Sequence, residues 1–111
     1  MAWLMGLARI TPADLLALIE QKSVTVCDVN DAARWGEGHV PGARNLVHDQ
    51  FGAESLPPDK QASLVFYCSN PMCRKAPIAA RRALKFGFTD VRVLAAGISG
   101  WRDAGLPVEA G

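Results

Sequence analysis

A short apolar segment that ends in a cysteine is the strongest constraint on the fold of this chain. Residues 63–67 (SLVFY) have the length of a β-strand and are bounded by polar residues, which is typical of a strand buried on both faces of a parallel sheet. Cys68 and a polar loop follow, and from Ala76 apolar residues recur at helical spacing until Gly87. This order predicts a strand, a loop and a helix, with Cys68 at the carboxyl end of the strand.

The rest of the chain alternates strand and helix patterns in the same way. A first helix is predicted to begin at Pro12, behind the N-cap Thr11, and a short one to follow Asn30 or Asp31. Further strands are predicted over residues 24–29, 44–47 and 91–94, and a loop with a short helix over 96–105. This alternation predicts an α/β fold with a mostly parallel sheet, in which ligands bind at the carboxyl ends of the strands.

Cys68 lies at such a strand end. A thiol that faces the N-terminus of the next helix is close to unpaired backbone N–H groups and to the positive end of the helix dipole. Both favour the thiolate, which is the form of cysteine that attacks an electrophile. Cys68 is therefore the predicted catalytic nucleophile.

Length and charge restrict the domain organisation and the partners. The 111 residues are enough for one core, so a single domain is predicted over residues 1–111. A formal net charge of +1 predicts neither a nucleic-acid partner nor a membrane surface. The apolar residues 1–7 make a poor signal peptide because Arg9 closes them early, and a cytoplasmic, reducing compartment is expected.

The chain has three cysteines: Cys27, Cys68 and Cys73. An odd number in a small chain without a secretion signal argues against a structural disulfide framework. No histidine cluster lies near Cys68 and Cys73, so neither a zinc site nor any other metal or cofactor is predicted. Cys27 lies inside a predicted strand and is interpreted as a small buried hydrophobic residue.

Several other conspicuous residues are predicted to be structural. His39 stands in a turn rich in glycine and proline, where it is expected to hydrogen-bond the backbone rather than act as an acid or base. The tryptophans are expected to be packing residues, and the basic residues of the predicted third helix to form an exposed face; these are Trp3, Trp35 and Trp101, and Arg81, Arg82 and Lys85.

Three motifs run in order along nearly the whole chain. The first leads from Asp28-Val29 to Gly38-His39-Val40-Pro41-Gly42-Ala43-Arg44-Asn45. The second is Val65-Phe66-Tyr67-Cys68, which leads into the helix with Ala79-Ala80, and the third extends from Gly87-Phe88 through Gly100-Trp101 to Val108. In this order and spacing the motifs resemble those of the rhodanese-like domains.

The resemblance implies an α/β domain with a central, mostly parallel five-stranded sheet flanked by helices on both faces. It also implies a sulfurtransferase, which takes a sulfane sulfur from a small anionic donor such as thiosulfate as a persulfide of Cys68 and passes it to cyanide, a protein thiol or a low-molecular-weight thiol. Arg74 and Lys75 would attract an oxyanion leaving group such as sulfite. The implied substrate-binding loop comprises Ser69, Asn70, Pro71, Met72, Cys73, Arg74 and Lys75.

This loop departs from the common pattern of the family. Aligned on Ala79-Ala80, it is two residues longer and has Lys75 at the usual basic position, whereas aligned on Cys68 it has Cys73 there. Cys73 has two interpretations: a resolving thiol that forms a disulfide with Cys68, or a loop residue chosen for its size. The first requires the loop to leave an anion-binding shape.

Two other classes of function stay open as alternatives. One is a noncatalytic module that binds a partner or carries sulfur. The other is a phosphatase or arsenate reductase that uses the same thiolate, although the loop lacks an obvious general acid and lacks an arginine placed to clamp a phosphate bidentately. The sequence favours sulfur transfer through Cys68.

Overall fold

The computed structural model describes residues 6–111, and the packing predicted for Trp3 lies outside the described residues. Strands and helices alternate along the chain, as predicted. The strands are β1 (Ala8–Arg9), β2 (Thr25–Asp28), β3 (Arg44–Asn45), β4 (Ser63–Tyr67) and β5 (Asp90–Val93). The helices are α1 (Pro12–Glu20), α2 (Ala32–Glu37), α3 (Lys75–Lys85) and α4 (Gly97–Asp103), with a 3₁₀ helix at Ala53–Ser55 between β3 and β4.

The five strands form one parallel sheet in the order β1-β5-β4-β2-β3. Strand β4 lies in the centre, where Phe66 pairs with Cys27 of β2 and with Val93 of β5. This confirms the α/β fold with a five-stranded parallel sheet. The sequence patterns had indicated only four strands, because β1 consists of two exposed residues at the sheet edge and carries no alternating pattern.

Two hydrophobic layers cover the two faces of the sheet. Leu64 and Phe66 of β4 point to one face, where they share a buried cluster with alanines of α3. Val65 and Tyr67 point to the other face, where they pack with Leu15 of α1. Because successive side chains of a strand alternate between faces, one strand supplies both layers, and helices lie on both faces as predicted.

The predicted helix boundaries have local causes. The Thr11 hydroxyl oxygen accepts a hydrogen bond from the Asp14 backbone N–H at 3.1 Å, and an Asp31 carboxylate oxygen accepts one from the Arg34 N–H at 2.8 Å. After α3, Gly87 adopts a φ of 103°, a left-handed conformation that glycine reaches without steric cost. No helix of residues 6–111 is long and apolar enough to cross a membrane.

The prediction of an exposed basic face on α3 is wrong for Arg82. Its Nε donates a hydrogen bond to the Phe51 backbone oxygen at 2.6 Å, and its guanidinium lies over the rings of Phe51 and Phe86. Arg82 is therefore a packing residue that ties the segment before β4 to α3. The packing role predicted for Trp101 is confirmed, since its side chain is fully buried and its indole N–H donates to the Pro107 oxygen at 2.7 Å.

Candidate active site

Cys68 is the first residue after the central strand β4, and only 2% of it is exposed. In a parallel sheet the carboxyl ends of all strands meet at one edge, so the segments that follow β2, β4 and β5 converge there. The structure thus places the predicted nucleophile where ligands of such sheets bind.

Hydrogen bonds from the two neighbouring segments hold the start of the cysteine loop. The Ser69 hydroxyl donates to the Asn30 side-chain oxygen at 3.2 Å, which joins the loop to the segment after β2. From the segment after β5, the backbone N–H groups of Ile98 and Ser99 donate to the carbonyls of Cys68 and Ser69, each at 2.9 Å. The sequence had given none of these three residues a role in supporting the cysteine loop.

A tight turn forms the tip of the loop. The Cys73 N–H donates to the Asn70 carbonyl at 3.1 Å, and the Met72 N–H donates to the Asn70 side-chain oxygen at 2.9 Å. Pro71 occupies the second position of this turn, where its fixed φ is favourable. The turn exposes 83% of Met72 and returns the chain toward Cys68.

Cys68 and Cys73 are joined by a disulfide, with their Cα atoms 6.3 Å apart. The cysteine count had argued against a structural disulfide framework, and a bond between these two residues was expected only if Cys73 is a resolving thiol; the structure pairs them within the folded loop. The reason is the turn at residues 70–73, which shortens a five-residue separation to disulfide distance. Among the described residues Cys27 is the remaining cysteine; it is buried, and burial raises its pKa to about 12, as suits the inert role predicted for it.

The two basic residues of the loop stand at the start of α3. Arg74 precedes the helix and Lys75 is its first residue, and both are exposed. The first turn of a helix carries N–H groups without intrahelical partners and the positive end of the dipole, so two cations there increase the attraction for an anion. Among residues 6–111, no group of three His, Cys, Asp or Glu side chains is arranged to hold a metal ion.

A buried polar network connects the ends of β2 and β4, and the sequence had not predicted it. The Tyr67 hydroxyl donates to a carboxylate oxygen of Asp28 at 2.6 Å and accepts from the Val40 N–H at 3.0 Å. The other Asp28 oxygen accepts from the Asn30 N–H at 2.8 Å. A signal was present, because Asp28 and Tyr67 end two strands that are adjacent in the sheet, but their pairing depends on strand order.

His39 has the structural role predicted for it. Its Nδ1 hydrogen-bonds the Trp35 carbonyl at 2.8 Å, and its ring stacks on the Trp35 indole with 4.2 Å between centroids. Its backbone also exchanges two hydrogen bonds with Glu109. These contacts tie the turn before β3 to the C-terminal segment.

Replacing Tyr67 with phenylalanine is expected to destabilise the fold by about 1–3 kcal/mol at neutral pH, because the buried Asp28 carboxylate loses a donor and the Val40 N–H its acceptor. Burial raises the pKa of Asp28, and the hydrogen bond from Tyr67 opposes that rise. In Tyr67→Phe the pKa of Asp28 therefore rises further.

Above the folded-state pKa of Asp28, the folded protein contains a buried charged carboxylate, and this lowers the free energy of unfolding. Once the carboxyl is protonated, this cost disappears. The loss of stability in Tyr67→Phe should therefore be larger at about pH 8 than at about pH 4, near the pKa of an unfolded aspartate. Urea unfolding of both proteins at the two pH values measures this difference. An equal loss at both would show that the hydroxyl does not stabilise the carboxylate.

A family model for the rhodanese-like domain matches residues 11–104 of the chain. The chain is 36% identical to an HTH-type transcriptional regulator of Mycobacterium tuberculosis over 102 residues, which are 92% of this chain and 45% of the regulator; it thus spans less than half of that protein. It is 29% identical to Arsenate reductase 2.2 of Oryza sativa subsp. japonica, over 93% of this chain and 88% of the relative. It is 26% identical to the thiosulfate sulfurtransferase GlpE of Actinobacillus pleuropneumoniae, over 91% of this chain and 92% of the relative.

Solved structures share the same fold. The BH2092 protein from Bacillus halodurans matches with a TM-score of 0.84 and 29% identity, over 93% of this chain and 77% of that one. A thiosulfate sulfurtransferase from Pseudomonas aeruginosa matches with a TM-score of 0.83 and 26% identity, over 95% of this chain and 20% of that one.

Proposed function

The chain belongs to the rhodanese-like domain family, and on that basis we propose that it is a sulfurtransferase that moves a sulfane sulfur through a persulfide of Cys68. The donor is a small anion such as thiosulfate, and the acceptor is cyanide or a thiol. The relative named thiosulfate sulfurtransferase, which this chain matches over 91% of its length, supports this class of reaction.

The position of Cys68 is the observation that carries the proposal. It directly follows the buried strand β4 and opens the loop that leads to the N-terminus of α3. Once the bond to Cys73 is reduced, the dipole of α3 and the loop cations stabilise the thiolate. The same positive field stabilises an anionic donor and the persulfide anion formed from it.

The proposed reaction has two steps. The Cys68 thiolate attacks the outer sulfur of thiosulfate, a bond forms between the two sulfurs, and the sulfur–sulfur bond of thiosulfate breaks so that sulfite leaves with the electron pair. Cyanide or a thiolate then attacks the outer sulfur of the persulfide and releases the Cys68 thiolate. In this proposal residues 69–75 form the substrate-binding loop, in which Arg74 and Lys75 attract the departing sulfite.

The experiment that tests the proposal starts from protein reduced with a dithiol and then freed of it. Incubation with thiosulfate and cyanide is expected to give thiocyanate. Stopping the reaction without cyanide and measuring sulfite tests the first step. If the reduced protein releases no sulfite and gives no thiocyanate, the proposed sulfurtransferase activity is wrong, and a noncatalytic partner-binding module becomes the better interpretation.

The likeness to Arsenate reductase 2.2 favours one second candidate, the reduction of arsenate by the same thiolate. The pair Cys68 and Cys73 suits that chemistry, because the reduction of arsenate to arsenite takes two electrons from two thiols and leaves them as a disulfide. Incubating the reduced protein with arsenate in place of thiosulfate, and measuring arsenite, separates the two functions. For either one we propose a reducing compartment such as the cytoplasm, since the nucleophile must be a free thiolate.

A further inference from the structure

The bond between Cys68 and Cys73 places a second thiol within reach of the proposed persulfide. We propose that Cys73 is a resolving residue: it attacks the Cys68 persulfide, releases the transferred sulfur as hydrosulfide and leaves the Cys68–Cys73 disulfide. The inference rests on the proposed function and extends it, because it makes a dithiol reductant the second substrate and sulfide a product.

The conformation of the loop brings Cys73 into contact with Cys68. The turn at residues 70–73 is closed by two hydrogen bonds to Asn70, at 3.1 Å from the Cys73 N–H and at 2.9 Å from the Met72 N–H. Cys68 is held separately from this turn, because the Ile98 N–H donates a hydrogen bond to its carbonyl and the Ser99 N–H donates one to the carbonyl of Ser69. The Cα separation of 6.3 Å lies within the range of ordinary disulfides, and β4 and α3 stay formed on either side of the bonded loop.

Burial favours Cys73 over a bulky external acceptor. Cys68 is 2% exposed, and the half-buried Cys73 packs against the hydrophobic cluster that contains Cys68. A thiol already held beside the persulfide reacts with a high effective concentration, whereas an external thiol must first enter the loop. Cys27 belongs to the same cluster but is fully buried in β2, and burial raises its pKa to about 12, so it does not compete as a nucleophile.

The step balances as follows. The Cys73 thiolate attacks Sγ of Cys68, which carries the outer sulfur as a hydropersulfide; a bond forms between the two Sγ atoms, the bond to the outer sulfur breaks, and HS⁻ leaves with the electron pair. The two cysteines together lose two electrons, which the departing sulfur gains. A dithiol reductant then returns the protein to its dithiol form. Per cycle, thiosulfate and a dithiol become sulfite, hydrosulfide and a disulfide.

The structure also indicates where the reductant attacks. Cys73 is the more exposed partner of the disulfide and lies beside Met72, of which 83% is exposed. A dithiol that attacks Sγ of Cys73 forms a mixed disulfide there and frees the Cys68 thiolate. The nucleophile is then ready for the next donor.

A single-turnover experiment tests this inference. The fully reduced chain, freed of reductant and kept without oxygen, is mixed with one equivalent of thiosulfate and no acceptor. For the wild type we expect about one sulfide released per sulfite, together with a protein mass that is lower by two hydrogen atoms. For Cys73→Ser and Cys73→Ala we expect a persulfide, seen as the gain of one sulfur atom, and a sulfide yield lower by about tenfold or more. Cys27→Ala serves as the matched control and should behave as the wild type.

The outcomes separate the inference from the proposed function. A wild-type protein that releases sulfite but keeps the extra sulfur atom, or a Cys73→Ser protein that releases sulfide at the wild-type yield, would overturn the resolving role and leave sulfur transfer intact. Absence of sulfite in the wild type and in all variants would overturn the proposed function itself, and the inference with it.

Discussion

Replacing Cys68 with serine is expected to lower thiosulfate-dependent thiocyanate formation by about 10³-fold or more. A serine hydroxyl directly after β4 stays protonated at neutral pH, whereas the proposed mechanism needs the thiolate of Cys68 as the attacking group. An alkoxide would also form no persulfide. The measurement is thiocyanate production by reduced wild-type and variant protein over a range of thiosulfate concentrations.

The matched control is Cys27→Ala. Cys27 lies one strand away in β2, is fully buried and has a pKa raised by burial to about 12, so its loss removes a thiol from the core without removing a nucleophile. We expect this variant to keep thiocyanate formation within about threefold of the wild type. Activity in Cys68→Ser that matches the wild type would show that another group attacks the donor. Activity lost in Cys27→Ala but kept in Cys68→Ser would show that Cys27, and not Cys68, attacks the donor.

Local chemistry explains why most of the fold was predictable. The apolar strand of residues 63–67, the N-cap Thr11 and the left-handed Gly87 act over a few residues, and each produced the element predicted from it. Strand β1 escaped prediction because its two residues are ordered by pairing with β5, a contact between distant parts of the chain. Arg82 was misjudged for the same reason, since Phe51, which it covers, lies 31 residues earlier.

The candidate site was predictable only in part. Cys68 stood out because a cysteine between a buried strand and a helix has a recognisable chemistry. The residues that support it, such as Asn30 and Ser99, reach it across the sheet edge, and no local pattern indicates these contacts. Cys73 was visible as a thiol, but its contact with Cys68 depends on the turn closed by Asn70, which spacing alone does not reveal.

Substituting Gly97 with alanine is expected to destabilise the protein by about 2–5 kcal/mol and to distort the cysteine loop. Gly97 has a φ of 69°, where a residue with a Cβ costs about 1–2 kcal/mol. Its Cβ would also lie 2.6 Å from the carbonyl carbon of Ser69 and from the Asn70 nitrogen. Both are backbone atoms, so the contact is relieved only by moving the chain next to Cys68, at a further cost of about 1–3 kcal/mol.

Gly105 offers a matched control that separates the backbone strain from the contact with the loop. It has a φ of 75°, nearly that of Gly97, but a Cβ there would meet no atom within 4 Å. Gly105→Ala should therefore lose about 1–2 kcal/mol through backbone strain alone and keep the proposed sulfurtransferase activity. In urea unfolding of both variants, the difference between their losses of stability measures the contact of the Cβ at residue 97 with the loop.

If Gly97→Ala loses no more stability than Gly105→Ala, the close approach of the α4 start to the Cys68 loop does not hold that loop in place. A larger loss together with lower activity would make Gly97 a positioning residue, because only its hydrogen atom leaves room for the segment that carries Cys68.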